Sequence, residues 1–502
     1  MTPRRRSLRD SLKWAFVMNW GQRGIATFFT FLLAAILGPR NFGVVAIALV
    51  YIVLIQGLLE QGVQTAIIQR DELEPEHLDS AFWMNIVWCL LLAAASVALS
   101  GWWADANNLP ELESVIVALS LILPIQGLTI VQQALLQRET RFRELGLAMN
   151  AAALAGGACG LALALTGAGV WALVAQQLTT EATALVIMWL VSDWRPRWRF
   201  SLPHARTLLG FSSNVFVANM GGFVTRRADA LLMGLFFGPV AVGIYRLADR
   251  IVDVLLELTM RPVGLVSLPH FSRLQNDPEG LRESVAACLR ATLLLTLPAL
   301  LVLAASSDQV LAVIGEEWRP GADALKFLCV VGIAKALVFF TGPLLFAVAR
   351  PLFRAVMLWM LAAMSAATVV AVGSALTGSS ADDQLFGMAL SRALLFVVVF
   401  IPINMVVIAW LTGLRMRSLA KDVPSPLLSG LAALGAVAGV RATGLLDGLA
   451  SLPALVFVGT VAVCAAVAVL LALEPRARAE ALKLWRRLSR RSAPPLVSRP
   501  GP

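Results

Sequence analysis

Six charged residues crowd one short stretch of the chain: Arg246, Asp249, Arg250, Asp253, Glu257 and Arg261. At 100° per residue they fall within an arc of about 120°, so a helix here is polar along one face from end to end. The stretch is otherwise apolar, and Arg23, Glu181, Arg226, Arg227, Asp229 and Lys335 also interrupt long apolar runs. An ionisable side chain at bilayer depth costs about 2.5–3.5 kcal/mol on insertion scales, so each one retained marks a lined cavity or a pairing site. Across all such runs nine cations stand against six anions, once Glu60, Arg290 and Arg392 near the span ends are included. A lattice of salt bridges that neutralises itself is one reading of these charges. The surplus of cations supports another, in which a buried anion completes the set; phosphate is the anion that arginine's forked donors suit best. Asn19, Gln22 and Arg23 share a helix face, as do Asn219 and Arg226, and these amides would line the same cavity.

The elements that must carry these residues follow from composition. The chain has 502 residues, of which 58% are hydrophobic and 14% charged, with a mean hydropathy of +0.78. Soluble domains carry about 25% charge, so this chain can neither cover a globular surface nor stay disordered. Apolar runs of twenty residues and more, with only two Tyr, exclude a β-barrel and predict an all-α polytopic membrane protein. A hydropathy reading gives about 14 transmembrane helices, from 12–37 and 41–64 to 451–473, with 207–237 and 240–265 as the two charge-rich spans. Lys and Arg alternate between successive loops, fifteen on one side against three on the other, which predicts that both termini are cytoplasmic. The three that break the pattern are Arg40, Arg319 and Arg441. Trp102, Trp103, Trp194, Trp198 and Trp318 fall at span ends, where amphipathic rings favour the interface. The first apolar run is too long for a cleavable signal and reads as the first helix. The five cysteines lie in apolar runs and read as core residues, while His77, His204 and His270 fall in short polar connections, so no metal site is expected. No Gly-Lys dipeptide occurs, hence no P-loop. Coupling then falls to substrate and ion gradients, proton or sodium, or to the membrane potential; no cofactor and no nucleic-acid partner are expected.

An offset of 200 residues aligns two parts of the chain without a gap. Phe16, Val17, Asn19, Gly21, Leu32, Gly38, Pro39, Gly43 and Ala48 meet Phe216, Val217, Asn219, Gly221, Leu232, Gly238, Pro239, Gly243 and Ala248. Nine identities in 33 positions put the first span in register with the seventh. Six spans is an even number, so the copies are parallel repeats about an axis along the membrane normal. The expected organisation is a tail (1–11), an N-lobe of helices 1–6 (12–192), a cytoplasmic linker (193–206), a C-lobe of helices 7–12 (207–411), two extra C-terminal helices (424–473) and a basic tail (474–502).

Several stretches resemble the Wzx/WzxC-type polysaccharide flippases of the multidrug/oligosaccharidyl-lipid/polysaccharide (MOP) superfamily. They are Asn41-Phe42-Gly43, Ala66-Ile67-Ile68-Gln69-Arg70, Phe82-Trp83-Met84-Asn85, Leu135-Leu136-Gln137-Arg138 with Arg141-Phe142-Arg143, Gly169-Val170-Trp171-Ala172-Leu173-Val174, Phe271-Ser272-Arg273-Leu274-Gln275, and Gly315 with Trp318. The resemblance implies two six-helix lobes around a cavity that opens alternately to either side. It implies a substrate of undecaprenyl-pyrophosphate-linked oligosaccharide moved to the periplasmic leaflet for lipopolysaccharide, capsule or exopolysaccharide assembly. Its partners would be membrane lipids, a polysaccharide polymerase and a chain-length regulator. On that basis Arg23, Arg226, Arg227, Arg250 and Lys335 are the candidate pyrophosphate ligands, and Glu181, Asp229, Asp249 and Asp253 the candidate coupling or charge-pairing acids. A cation-coupled multidrug exporter and a lipid II flippase of the same superfamily remain open. An integral-membrane glycosyltransferase or O-antigen ligase is less favoured, because the longest outer loop, 306–321, offers only Asp308, Glu316 and Glu317 and reads as solvated; no catalytic residues are assigned.

Overall fold

Runs this apolar must satisfy every backbone polar group within the segment, and the Gly-Pro pairs that interrupt them set where the helices turn. The structure is a computed structural model describing residues 8–59, 64, 67–68, 74–203, 232–414, 424–443 and 451–473, and every regular element among them is helical. In chain order these are α1 (Leu8–Leu59), α2 (Pro75–Ala106), α3 (Glu111–Leu119), α4 (Ile122–Arg138), α5 (Phe142–Leu165), α6 (Val170–Val191), α7 (Pro239–Arg273) and α8 (Pro278–Ala305). Then come α9 (Ser307–Ile314), a 3-10 turn (Glu316–Gly321), α10 (Ala322–Val338), α11 (Thr341–Ala347), α12 (Pro351–Leu376) and α13 (Ala381–Leu394). A π-helical stretch (Leu395–Phe400) leads into α14 (Ile401–Thr412), followed by α15 (Pro424–Ala442) and α16 (Ser451–Leu473).

Eleven helical stretches among the described residues are long and apolar enough to cross a membrane. The first, Trp20–Gly57, is two expected spans merged through Gly38, and α7 is a further span whose charges hide it from hydropathy. Thirteen of the fourteen expected spans are thereby accounted for, and most of the other, 207–237, lies outside the described residues. The chain is a multi-pass, all-helical membrane protein.

It forms two compact units. Unit 1 holds Met1–Arg250, Ile314–Ala324 and Pro351–Leu395; unit 2 holds Ile251–Val313, Leu325–Arg350 and Phe396–Pro502. Within unit 1, α5 packs along both α1 and α6, and α4 packs between α2 and α6. Close approach of α5 to α6 depends on small residues, since a Cβ at Gly156 would collide with Thr180 and one at Gly160 would press on the Gln176 side chain. Within unit 2, α8 packs on α15 and α15 on α16, around Ala433, Val437, Val458 and Ala462, and Ser429 Oγ donates to the Ala466 carbonyl at 2.7 Å.

The matched Gly-Pro pairs do the same work twice. Gly38 takes φ 73°, a conformation L side chains rarely adopt, and so kinks α1 immediately before Pro39. Gly238 ends a helical stretch and Pro239 opens α7. The segments that follow cross each other within unit 1 in a reciprocal manner. A Cβ on Gly43 would collide with the Pro239 carbonyl oxygen, and a Cβ on Gly243 would collide with that of Pro39. Ala48 and Ala248, the next matched pair, are both fully buried. Pro39 and Gly43 thus occupy places equivalent to those of Pro239 and Gly243 about a local two-fold.

Several sequence expectations change. Trp102 and Trp198 are exposed, but Trp103 and Trp318 are buried; Trp103 lies 5.6 Å from Tyr51, and Trp318 meets Phe42 edge-on at 5.8 Å. His77 lies in α2 and is buried, and His270 lies in the last turn of α7, because both helices outrun their apolar cores; His204 is outside the described residues. The 306–321 segment is α9 plus the 3-10 turn rather than an open loop, and Asp308 pairs there with Arg441 at 3.2 Å. The first part of the 193–206 linker is strapped to α2. Arg197 N donates to Asp79 Oδ1 at 3.0 Å, Ser201 N to Ser80 Oγ at 2.9 Å, and Trp83 Nε1 to the Arg197 carbonyl at 2.8 Å, with Trp198 stacked on Trp83 at 4.2 Å.

Candidate cationic substrate site

The Gly-Pro breaks set the depth of the charged residues. Arg250 lies twelve residues past Gly238 and Thr27 eleven before Gly38, about 18 and 16 Å along their helices at 1.5 Å per residue. Both therefore sit near the middle of a hydrocarbon core of about 30 Å. They meet there: Arg250 Nη2 donates to Thr27 Oγ1 at 2.9 Å. Thr27 is one turn from Arg23 on the same face of α1, so the Arg250 guanidinium comes to the face that carries Arg23. Arg23 is exposed and Arg250 half-buried. Of the five expected anion ligands, Arg250 thus binds α1 one helical turn from Arg23, within unit 1.

One residue before Arg250, the chain holds a buried ion cluster. Asp249 is 7% exposed and accepts from Arg392 Nη1 at 3.4 Å, with Arg246 Nη1 at 3.7 Å from its other oxygen. Arg392 Nη1 also donates to the hydroxyl of Tyr245, 1% exposed, at 3.0 Å. Arg392 stands near a span end in the sequence, yet a buried carboxylate holds both it and Arg246, which costs less than leaving Asp249 uncompensated. Asp249 is thus a pairing acid, and Arg392, Tyr245 and Thr27 are site residues the sequence reading did not assign. In unit 2, Lys335 Nζ meets Asp253 Oδ1 at 3.0 Å. Glu181 accepts from Gln126 Nε2 at 3.2 Å in unit 1, and Gln22 Nε2 approaches the Met149 sulfur at 4.0 Å. Asn19 lies in α1. Arg226, Arg227, Asp229 and Asn219 lie outside the described residues.

Unit 2 also contains an apolar cavity of about 500 Å³ between α7, α8, α15 and α16, lined by Leu255, Leu258, Leu295, Val302, Val463 and Val467 among others. Among the described residues no group of His, Cys, Asp and Glu is arranged to hold a metal ion.

The described residues form an all-helical membrane bundle with ion pairs on its charge-bearing helix α7. The solved structure of the lipid II flippase MurJ in its inward closed conformation has the same fold, with a TM-score of 0.66 over 90% of this chain and 98% of that one, at 12% identity. The polysaccharide biosynthesis protein family matches residues 32–323, and the chain belongs to that family. It is 28% identical to the lipopolysaccharide biosynthesis protein WzxC of Escherichia coli (strain K12), over 67% of this chain and 69% of that one. It is 25% identical to the succinoglycan biosynthesis transport protein ExoT of Rhizobium meliloti (strain 1021), over 67% and 68%. The Wzx-type resemblance carried by the sequence motifs is borne out.

Proposed function

We propose that the protein is a flippase that carries undecaprenyl-pyrophosphate-linked oligosaccharide from the cytoplasmic to the periplasmic leaflet of the bacterial inner membrane. The observation that carries this reading is the convergence of Arg250 and Arg23 on one face of α1 near mid-membrane. A pyrophosphate offers oxygens to the forks of both arginines at once, and such charge-assisted, two-pronged bonds are the strong ones. Family membership and the likeness to ExoT, a transport protein of polysaccharide biosynthesis, support the same class of substrate. A drug exporter for cations needs the opposite sign of charge at this place.

In this reading Arg250 and Arg23 hold the pyrophosphate, joined by Arg226 and Arg227 from the seventh span. Asp249 holds Arg392 and Arg246 in place, and Asp253 holds Lys335. The apolar cavity of unit 2 suits the polyprenyl chain, which packs against its aliphatic lining much as it packs against lipid tails. Two six-helix lobes, 12–192 and 207–411, rock about the repeat axis, and both termini face the cytoplasm. Protons, sodium or the membrane potential drive the cycle, and Glu181 and Asp229 are candidate carboxylates for ion coupling. The lipid-linked unit is consumed on the far side by a polymerase with its chain-length regulator.

Arg250→Ala and Arg23→Ala are expected to abolish polymer export while the protein stays inserted at wild-type level, whereas Arg250→Lys, which keeps charge but loses the fork, retains a fraction. Wild-type export from both alanine variants contradicts the assignment.

A further inference from the structure

The anion site leaves the carboxamides of unit 1 unexplained. Apart from Thr129, Gln132 and the terminal Arg138, the polar side chains of α4 form one row, with Gln126, Gln133 and Gln137 spaced by seven and four residues. At 100° per residue they lie within about 20° of one line along the helix. All three are half-buried, whereas the adjacent Gln132, which points off this line, is fully buried. The row runs about 16 Å, from the middle of the span to the end bearing Arg138, Arg141 and Arg143.

Other helices complete the row. Gln56 Nε2 donates to Gln126 Oε1 at 3.1 Å, and Gln126 Nε2 donates onward to Glu181 Oε1 at 3.2 Å. At the basic end Gln64 Nε2 donates to Gln137 Oε1 at 3.2 Å. Glu181 stands at the midpoint of α6, within Gln176, Gln177, Thr179, Thr180, Glu181 and Thr183, and residues 175–183 are all half-buried.

Adhesion between helices needs a single buried amide pair. It does not require partly exposed amides in line over half a membrane, with Gln133 between the two rungs. A side-chain amide both donates and accepts and carries no charge. It can exchange its bond to a neighbouring amide for one to a hydroxyl group, which also donates and accepts, without binding so tightly that the passenger is trapped. A pyrophosphate, which only accepts, leaves the amide carbonyl oxygens of the row unsatisfied, and an ionised Glu181 would repel it. The chemistry of the row matches a polyhydroxylated, uncharged passenger.

We propose that Gln126, Gln133 and Gln137, with Gln56, Gln64 and Glu181, form a track along which saccharide hydroxyls exchange hydrogen bonds with side-chain amides. The inference rests on the flippase reading and adds which part of the substrate unit 1 handles. Because a longer saccharide occupies more of the row, losing the amides penalises long passengers more than short ones.

The test uses the full chain reconstituted in phosphatidylethanolamine–phosphatidylglycerol vesicles, with two probes: undecaprenyl pyrophosphate bearing one sugar and the same carrier bearing four. In the Gln126→Leu/Gln133→Leu/Gln137→Leu variant the four-sugar rate is expected to fall at least ~10-fold relative to the one-sugar rate, as lost hydrogen bonds to the passenger accumulate. Gln133→Leu alone, which leaves both amide rungs intact, should shift the ratio ~3-fold in the same direction, and it carries the test if the triple variant fails to insert. Arg250→Ala should slow both probes alike. A ratio unchanged by the glutamine substitutions, whether both rates persist or fall by the same factor, overturns the track while leaving the flippase reading intact. A wild-type protein that moves neither probe overturns the flippase reading, and the track with it.

Discussion

Replacing Gly243 by alanine tests the local two-fold of the repeat. The added methyl would collide with the Pro39 carbonyl oxygen and lie 3.0 Å from Gly43 N and 3.1 Å from the Pro39 carbonyl carbon. All three are backbone atoms, so no side chain can swing aside; the segments must part by several tenths of an ångström. Overpacking of this kind costs about 1–3 kcal/mol. Gly43→Ala meets the mirror-image obstacle at Pro239 and should cost a similar amount. Once the first methyl has parted the segments, the second enters space already opened. The double variant should therefore lose clearly less than the sum of the singles, with a coupling of about 1 kcal/mol or more. Reversible unfolding of the full chain in mixed micelles, followed by tryptophan fluorescence, gives all three values. Two silent single variants, or a double variant equal to the sum, would refute the crossing.

Further outcomes follow from other contacts. Asp249→Asn leaves Arg392 and Arg246 without their buried counter-ion and should destabilise the chain by about 3–5 kcal/mol; Asp249→Asn with Arg392→Met should recover part of that loss, and a strictly additive double variant would contradict the pairing. Gln132 is fully buried, and neither of its amide atoms has a hydrogen-bond partner among the described residues, so Gln132→Leu should stabilise by about 1–2 kcal/mol; a lower unfolding midpoint would tell against it. Trp83→Ala removes both the stack on Trp198 and the bond to the Arg197 carbonyl, and should speed trypsin cleavage after Arg197 and Arg199 severalfold in limited proteolysis; an unchanged rate would mean that the strap does not depend on Trp83.

The spans were legible because length and hydropathy decide them, and the repeat was legible because Gly-Pro breaks and a crossing glycine tolerate little else. Hydropathy did not show that α1 continues through Gly38, since a kink and a turn have the same composition. The sequence placed Arg250 at depth but could not show its partner: Thr27 lies 223 positions away and has an unremarkable side chain. Arg392 was misread as an interfacial residue because distance from a span end says nothing about whether a carboxylate waits inside. The glutamine row had a signal in its spacing of seven and four, yet its partners Gln56, Gln64 and Glu181 lie far along the chain, beyond the reach of any spacing within α4.

The most direct measurement follows undecaprenyl-pyrophosphate-linked oligosaccharide in cells lacking this protein, using a label that reaches only the outer leaflet. A complete lipid-linked unit that accumulates and stays unlabelled, then becomes labelled when the wild-type chain is restored but not the Arg250→Ala chain, is the predicted result. Normal labelling with the protein absent would contradict the flippase account.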